Sequence, residues 1–176
     1  MIKRLIPNRG PFLKQHISYV LLILIIDQLS KWFILNELML ETKGSIPLLP
    51  FLSFSMVWNS GISMGLAIDN IIGDWGVIAM TFGITLWLFH WMVGCLHKIE
   101  SLALAMIIGG AVGNIIDRIS YGAVADFIHF HAFDYNFYVF NVADAAISIG
   151  VVILLFDGLR GGGNSPKNDA NSVDGV

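Results

Sequence analysis

From Trp75 to Leu96 the chain runs 22 residues without an Asp, Glu, Lys or Arg. At about 1.5 Å of rise per residue a helix of that length is roughly 33 Å long, matching the hydrocarbon core of a bilayer. Three further stretches come close to the same requirement, so the spans fall at roughly 16–36, 73–96, 101–119 and 138–157. The composition agrees: of 176 residues, 56% are hydrophobic and 13% charged, with a mean hydropathy of +0.73, whereas ordinary soluble domains carry about 25% charged residues. The expected fold is an all-α membrane protein, a four-transmembrane-helix bundle, with residues 1–160 as a single integral membrane domain. Ten Lys and Arg against thirteen Asp and Glu leave no basic patch for phosphates, so a nucleic-acid partner is excluded. The single cysteine, Cys95, can close no internal disulfide and is assigned to packing.

Lys3, Arg4, Arg9 and Lys14 ahead of an apolar run suggest a secretory signal, but Asp27-Gln28-Leu29-Ser30-Lys31 stands where small residues of a cleavage site belong. The segment is read as a retained first helix. Basic residues outside the spans collect in the N-terminal tail, at Lys98 and in the C-terminal tail at Arg160 and Lys167. The long segment after helix one holds Lys43 against Glu37, Glu41, Asp69 and Asp74. Both termini are therefore expected in the cytoplasm. Segments 37–72 and 120–137 then face outward, and their alternating stretches, Leu52 to Trp58 and Ala125 to Phe130, predict short strands. A small extracytoplasmic β-containing segment between helices one and two follows. Residues 161–176, rich in Gly, Asn and Asp, are expected to be a disordered cytoplasmic tail.

Ionisable groups within a span are costly, and each is a functional candidate unless it finds a partner in the bundle. Measured up from the cytoplasmic ends, Asp27, Lys31, Asn114, Asp117, Arg118 and Asp144 lie about 16 to 26 Å into their helices. Residues from three helices thus share one layer. Asp27 and Lys31 are four apart on one face, where they form an ion pair that holds helix one to the bundle. Gly109 and Gly113 let a neighbouring helix approach closely. Asn114, Asp117 and Arg118 share a face at spacings of three and four; spacing alone leaves open whether they build a site or cap the helix toward the headgroups.

Asp144 has no basic residue four positions away and needs a partner from elsewhere. Asp126, in Ala125-Asp126-Phe127 just beyond helix three, is the candidate that the topology brings to the same layer. Two partly desolvated carboxyls that close cannot both ionise, so they share a proton. An aspartyl peptidase uses such a pair: the ionised member takes a proton from water while the protonated member polarises the scissile carbonyl.

Five motifs then carry a resemblance. Asp27-Gln28-x-Ser30-Lys31, Asn59-Ser60-Gly61, Gly113-Asn114-x-x-Asp117-Arg118, Val124-Ala125-Asp126-Phe127 and Phe140-Asn141-Val142-Ala143-Asp144 resemble, in order, those of the lipoprotein signal peptidases (signal peptidase II). The likeness covers roughly residues 20–157. It implies a hydrolase of the bacterial inner membrane, a multi-pass aspartyl endopeptidase working without a cofactor or metal. Its substrate is a diacylglyceryl-modified prolipoprotein, cut just before the lipidated cysteine on the outer side. By the same likeness Asp126 and Asp144 are catalytic, Asn59, Gly61, Asn114, Arg118 and Asn141 bind substrate, and Asp27, Lys31 and Asp117 give structural support. Residues Ile62-Ser63-Met64-Gly65 depart from the usual continuation, a small residue and an aromatic. Acyl chains would lie along an apolar flank of the bundle, in contact with membrane lipid, under segment 37–72 as a lid hinged at Gly61 and Gly65. The chain is expected to act as a monomer.

Three other readings compete. His129 and His131 alternate in an expected strand near Asp126 and Asp134, but two such His without Cys or a helical His-Glu-x-x-His motif are weak evidence of a zinc site. A small transporter would need polar residues along its whole length, and the cytoplasmic halves of these helices are apolar. A non-catalytic scaffold would tolerate loss of either aspartate. His90, within the second span, is read as a buried packing residue.

Overall fold

The computed structural model describes residues 10–61, 69–132 and 135–161. Helix α1, Leu13–Trp32, is inside out relative to a soluble helix. Its buried residues are His16, Asp27 and Lys31, while Leu21, Leu22, Ile25, Ile26 and Leu29 are exposed. That pattern suits a helix whose outer face meets lipid. The helix widens into a π turn at Phe33–Glu37. A short helix α2, Leu40–Lys43, follows, bounded by left-handed Met39 at φ 48° and by Gly44 at φ 79°. Strands β1, Ser45–Leu49, and β2, Leu52–Asn59, then form a hairpin.

Helix α3, Asp69–Gly94, is interrupted at Gly73, whose φ of 69° and ψ of 167° lie outside helical space. Helix α4, Lys98–Tyr121, closes on Gly122, which takes the left-handed conformation at φ 77° and donates its N–H to the Arg118 carbonyl. That turn sends the chain back as β3, Val124–Ala132, and β4, Tyr135–Phe140, before helix α5, Val142–Gly161. The described residues contain four helical stretches long and apolar enough to cross a membrane: Leu13–Glu37, Trp75–Gly94, Lys98–Tyr121 and Val142–Arg160. The protein is thus mostly helical, with four candidate membrane spans and a small antiparallel sheet.

Helix α4 is the hub, packing against α1, α3 and α5. Its glycines make this possible. A methyl on Gly109 would stand 3.0 Å from the Val20 carbonyl and Ile23 of α1, and one on Gly110 would stand 2.5 Å from the Ala143 carbonyl of α5. At Gly113 the space is taken by the Asp27 carboxylate. Gly109 and Gly113 therefore admit α1, as their spacing predicts, and Gly110 admits α5. The half of the bundle away from the sheet is filled by Leu88, Met92, Leu104, Ala105, Ile107 and Ile108.

Three expectations need correction. The sheet is not confined to the segment between the first two spans: β2 pairs with β3 and β3 with β4, in the order β1-β2-β3-β4. Residues 138–140, expected to open the last helix, belong to β4. The run Phe137-Tyr138-Val139-Phe140 is aromatic and β-branched, and an apolar run this short does not distinguish strand from helix. Its pairing with β3 decides the matter. The expectation for His90 also fails, because it is exposed. The buried stripe of α3 runs through Val77, Thr85, Leu88 and Met92, and two residues beyond Leu88 on a helix is the far side. The expected lid lies partly on residues 62–68, and the expected tail on 162–176, outside the described residues.

Candidate active site

Polar residues of α1 and α4 meet first as an ion-pair cluster. Lys31 Nζ lies 2.8 Å from Asp27 Oδ2 and 2.8 Å from Asp117 Oδ2, with all three side chains buried. Gln28 Nε2 donates to Asp27 Oδ2, to the Gly113 carbonyl and to Asp117 Oδ1. The spacing-based Asp27–Lys31 pair is present, enlarged by a second carboxylate and by an amide that carried no assigned role. Gln28 could have been suspected from its place beside Asp27, but its partners lie 85 and 89 residues away.

Both carboxylates of this cluster also hold the site. Asp117 Oδ2 accepts from the backbone N–H of Ala125, tying down the residue before Asp126. Asp27 Oδ1 accepts from the N–H of Ala143 at 2.9 Å, within the first turn of α5. Asn141 is the N-cap of that helix: its Oδ1 accepts from the Asp144 N–H at 2.9 Å, and Asp144 Oδ2 accepts from the Asn141 N–H at 3.4 Å. This is a reciprocal capping box with Asp144 at its third position. The partner that Asp144 lacks within its own helix is supplied by α4, where Asn114 Nδ2 donates to Asp144 Oδ1 at 2.9 Å.

Asn141 also reaches the other carboxyl. Its Nδ2 donates to Asp126 Oδ1 at 2.6 Å and to Asn114 Oδ1 at 3.2 Å, while Asn59 Nδ2 donates to Asp126 Oδ2 at 2.9 Å. The two aspartates are thus linked through Asn141. Opposing influences act on Asp126, which is 1% exposed. Burial, and then the neighbouring Asp144 charge, raise its carboxyl to about 7, while the Asn59 and Asn141 donors and Lys31 pull the other way. Four carboxyls, those of Asp27, Asp117, Asp126 and Asp144, face the cations of Lys31 and Arg118, an excess that favours retaining a proton.

Arg118 Nη2 donates to the Gly61 carbonyl at 2.9 Å and Nη1 to the Asn114 carbonyl at 3.4 Å, and its Nε is buried without a partner among the described residues. The guanidinium pins the end of the β2 segment over the bundle. A cavity of about 180 Å³ opens here, lined by Asn59, Asn114, Arg118 and Asp144, with Thr81, Ala111, Val124, Ile147 and Ser148 as its walls. Asp144 faces it directly, whereas Asp126 lies behind Asn59. Thr81 and Ser148 were not foreseen, since single hydroxyls within apolar spans give no sequence signal. Every residue expected at the site is brought to this region, and Gly61 contributes through its carbonyl.

His129 and His131 place their rings 5.5 Å apart, but the described residues hold no group of three or more His, Cys, Asp or Glu able to bind a metal. Asp134 lies outside the described residues. The apolar half of the bundle rules against a continuous polar conduit.

A buried carboxyl poised near neutrality suits acid–base hydrolysis, and here it sits on a strand set against a bundle of membrane-length helices. The class is that of the integral membrane aspartyl peptidases. The sequence profile described as Signal peptidase (SPase) II matches residues 19–160. Among known relatives, "Lipoprotein signal peptidase" of Methylorubrum extorquens is 42% identical over 83% of this chain and 86% of its own length. That of Sphingopyxis alaskensis is 37% identical over 94% and 98%. A bacterial membrane enzyme solved in meso at 2.3 Å resolution superposes with a TM-score of 0.74 at 25% identity, covering 93% of this chain and 99% of its own. The chain belongs to the signal peptidase II family: it is an aspartyl endopeptidase that removes signal peptides from bacterial prolipoproteins.

Proposed function

We propose that Asp126 and Asp144 are the catalytic pair, and that they cut the prolipoprotein just before its diacylglyceryl-modified cysteine at the outer face of the inner membrane. The observation that carries this reading is the Asn141 bridge. One amide donates to Asp126 while capping the helix that presents Asp144 to the cavity. The pair holds one proton near neutrality. Its ionised member takes a proton from a water in the cavity, and the water oxygen attacks the scissile carbonyl carbon. The protonated member meanwhile hydrogen-bonds the carbonyl oxygen, which develops negative charge. The proton taken from water then passes to the leaving amide nitrogen as the carbon–nitrogen bond breaks, and the pair returns to its starting state.

Asn59, Gly61, Asn114, Arg118 and Asn141 hold the substrate backbone around this centre, with Arg118 and Asn114 supplying N–H donors, Asn59 and Asn141 fixing the carboxyl beside it, and Gly61 leaving room for close approach. Asp27, Lys31 and Asp117 fix the N-terminus of α5 and the start of β3, so they act by position. Both termini lie in the cytoplasm, and residues 1–160 form the membrane domain. Because one chain supplies both carboxyls, a monomer suffices, and the chemistry needs no metal.

Purified protein mixed with a diacylated prolipoprotein tests the assignment. Asp126→Asn and Asp144→Asn should each slow signal-peptide release by roughly 10²- to 10⁴-fold, the usual contribution of a positioned acid or base. Helical circular dichroism should be unchanged. Cleavage at the normal rate by either folded variant would remove the pair from the mechanism.

A further inference from the structure

Asn59 Nδ2 has two N–H groups, and they go to different places: one to Asp126 Oδ2 at 2.9 Å, the other to the hydroxyl of Tyr138, also at 2.9 Å. Tyr138 belongs to β4, the strand that runs directly into Asn141, and its side chain is half exposed beside the site. Its hydroxyl is also within electrostatic reach of Arg118. No motif includes it. We propose that Tyr138 is a positioning residue for the carboxyl pair, its hydroxyl anchoring the Asn59 carboxamide so that the second N–H stays aimed at Asp126. This rests on the assignment of Asp126 to the pair.

The physical argument is one of rotational freedom. An amide held by one N–H can swing about its Cβ–Cγ bond, but one held by both is fixed in plane. Asn59 comes from the end of β2 and has to be held against a buried carboxyl of β3 with the cavity on its other side. β4 supplies the second anchor. A donor held in line favours the ionised form of the carboxyl it faces, so loosening Asn59 makes Asp126 hold its proton more tightly. The other charged groups around Asp126 are Asp144 of α5, Lys31 and Asp27 of α1, and Asp117 and Arg118 of α4. The Asn59 carboxamide is hydrogen-bonded to Tyr138 and to Asp126 at once, and that shared amide is the route of the effect.

Tyr138→Phe removes the hydroxyl and keeps the ring. The carboxyl titration of the purified protein, followed by infrared difference spectroscopy with the Asp126 band assigned through Asp126→Asn, should move upward by on the order of half a pH unit. Both limbs of the pH–rate profile for prolipoprotein cleavage should move with it. The kcat should fall several-fold with KM within about twofold. In an Asn59→Ala background the Tyr138→Phe change should have no further effect on the titration. An Asp126 titration unchanged in Tyr138→Phe overturns the inference whatever happens to the rate. Full cleavage by Asp126→Asn would instead overturn the catalytic pair, leaving the Tyr138–Asn59–Asp126 linkage to be judged by the titration alone.

Discussion

Lys31 puts an ammonium where water cannot reach it, 3% exposed and 2.8 Å from each of two carboxylates. Such a group is affordable only while its partners are present, since removing one side of a buried ion pair leaves the other charged and unsolvated. Lys31→Met should therefore cost roughly 3–5 kcal/mol, read as a lower midpoint of unfolding in mixed micelles. Asp126 sets a different expectation. With its carboxyl raised from an ordinary 3.8 to about 7, the one-proton pair is lost as pH climbs through that value. Cleavage should fall about tenfold per pH unit on the alkaline side. The sign for stability is the same: the folded state binds this proton more tightly than the unfolded chain, so the contribution of Asp126 is full below its unfolded value and lost as pH rises through about 7. Midpoints of thermal unfolding measured between pH 5 and 8 should decline, and Asp144→Asn should flatten the decline by removing the neighbouring charge.

Helix contacts make a sharp contrast between two glycines. Gly110 lies so close to α5 that an added methyl would meet the Ala143 backbone at 2.5 Å, whereas at Gly83 of α3 nothing among the described residues lies within 4 Å. Gly110→Val should destabilise the bundle by about 1–3 kcal/mol as an overpacked interface. It should also reduce cleavage further than the folded fraction explains, because the backbone it displaces leads into Asp144. Gly83→Ala should instead be neutral or raise stability by up to about 1 kcal/mol through helix propensity. Thermal unfolding beside cleavage by the folded fraction separates the two effects. The sheet is positioned on the same logic, through Phe54, Ile128, Ile46 and Val142 packed on Ile34, Leu40 and Phe127.

Across the whole molecule the polar cluster and the sheet share one end of the bundle, an apolar layer lies beyond them, and a buried His16–Ser101 pair stands at the far end. The proposed orientation puts the sheet outside the cell. A cysteine placed at Leu49, exposed at the β1–β2 hairpin, should react with an impermeant maleimide added to intact spheroplasts. Native Cys95 is buried, and its thiol is pushed up to about 11 chiefly by that burial, so it should give no background. Labelling of Leu49→Cys only after the membrane is opened would reverse the orientation. Treatment with EDTA should leave cleavage unchanged, since no step requires a metal.

The spans were legible in the linear order of residues because lipid offers the backbone no hydrogen bonds, which makes helix length and apolarity a local property. So was the Asp27–Lys31 contact, a consequence of helical pitch alone. Asp126, Asp144 and Asn114 stood out by depth and topology before any motif likeness, whereas Asn59 and Asn141 came from motif likeness alone, and no periodicity ranks them above other polar residues. Folding alone set how they are joined. Asn141 serves as helix cap and as bridge because β4 ends where α5 begins, and Asn59 divides its two N–H groups between Asp126 and Tyr138 because a strand replaced the expected first turn of the last helix. A shared proton depends on distances between groups far apart along the chain, and only packing sets those distances.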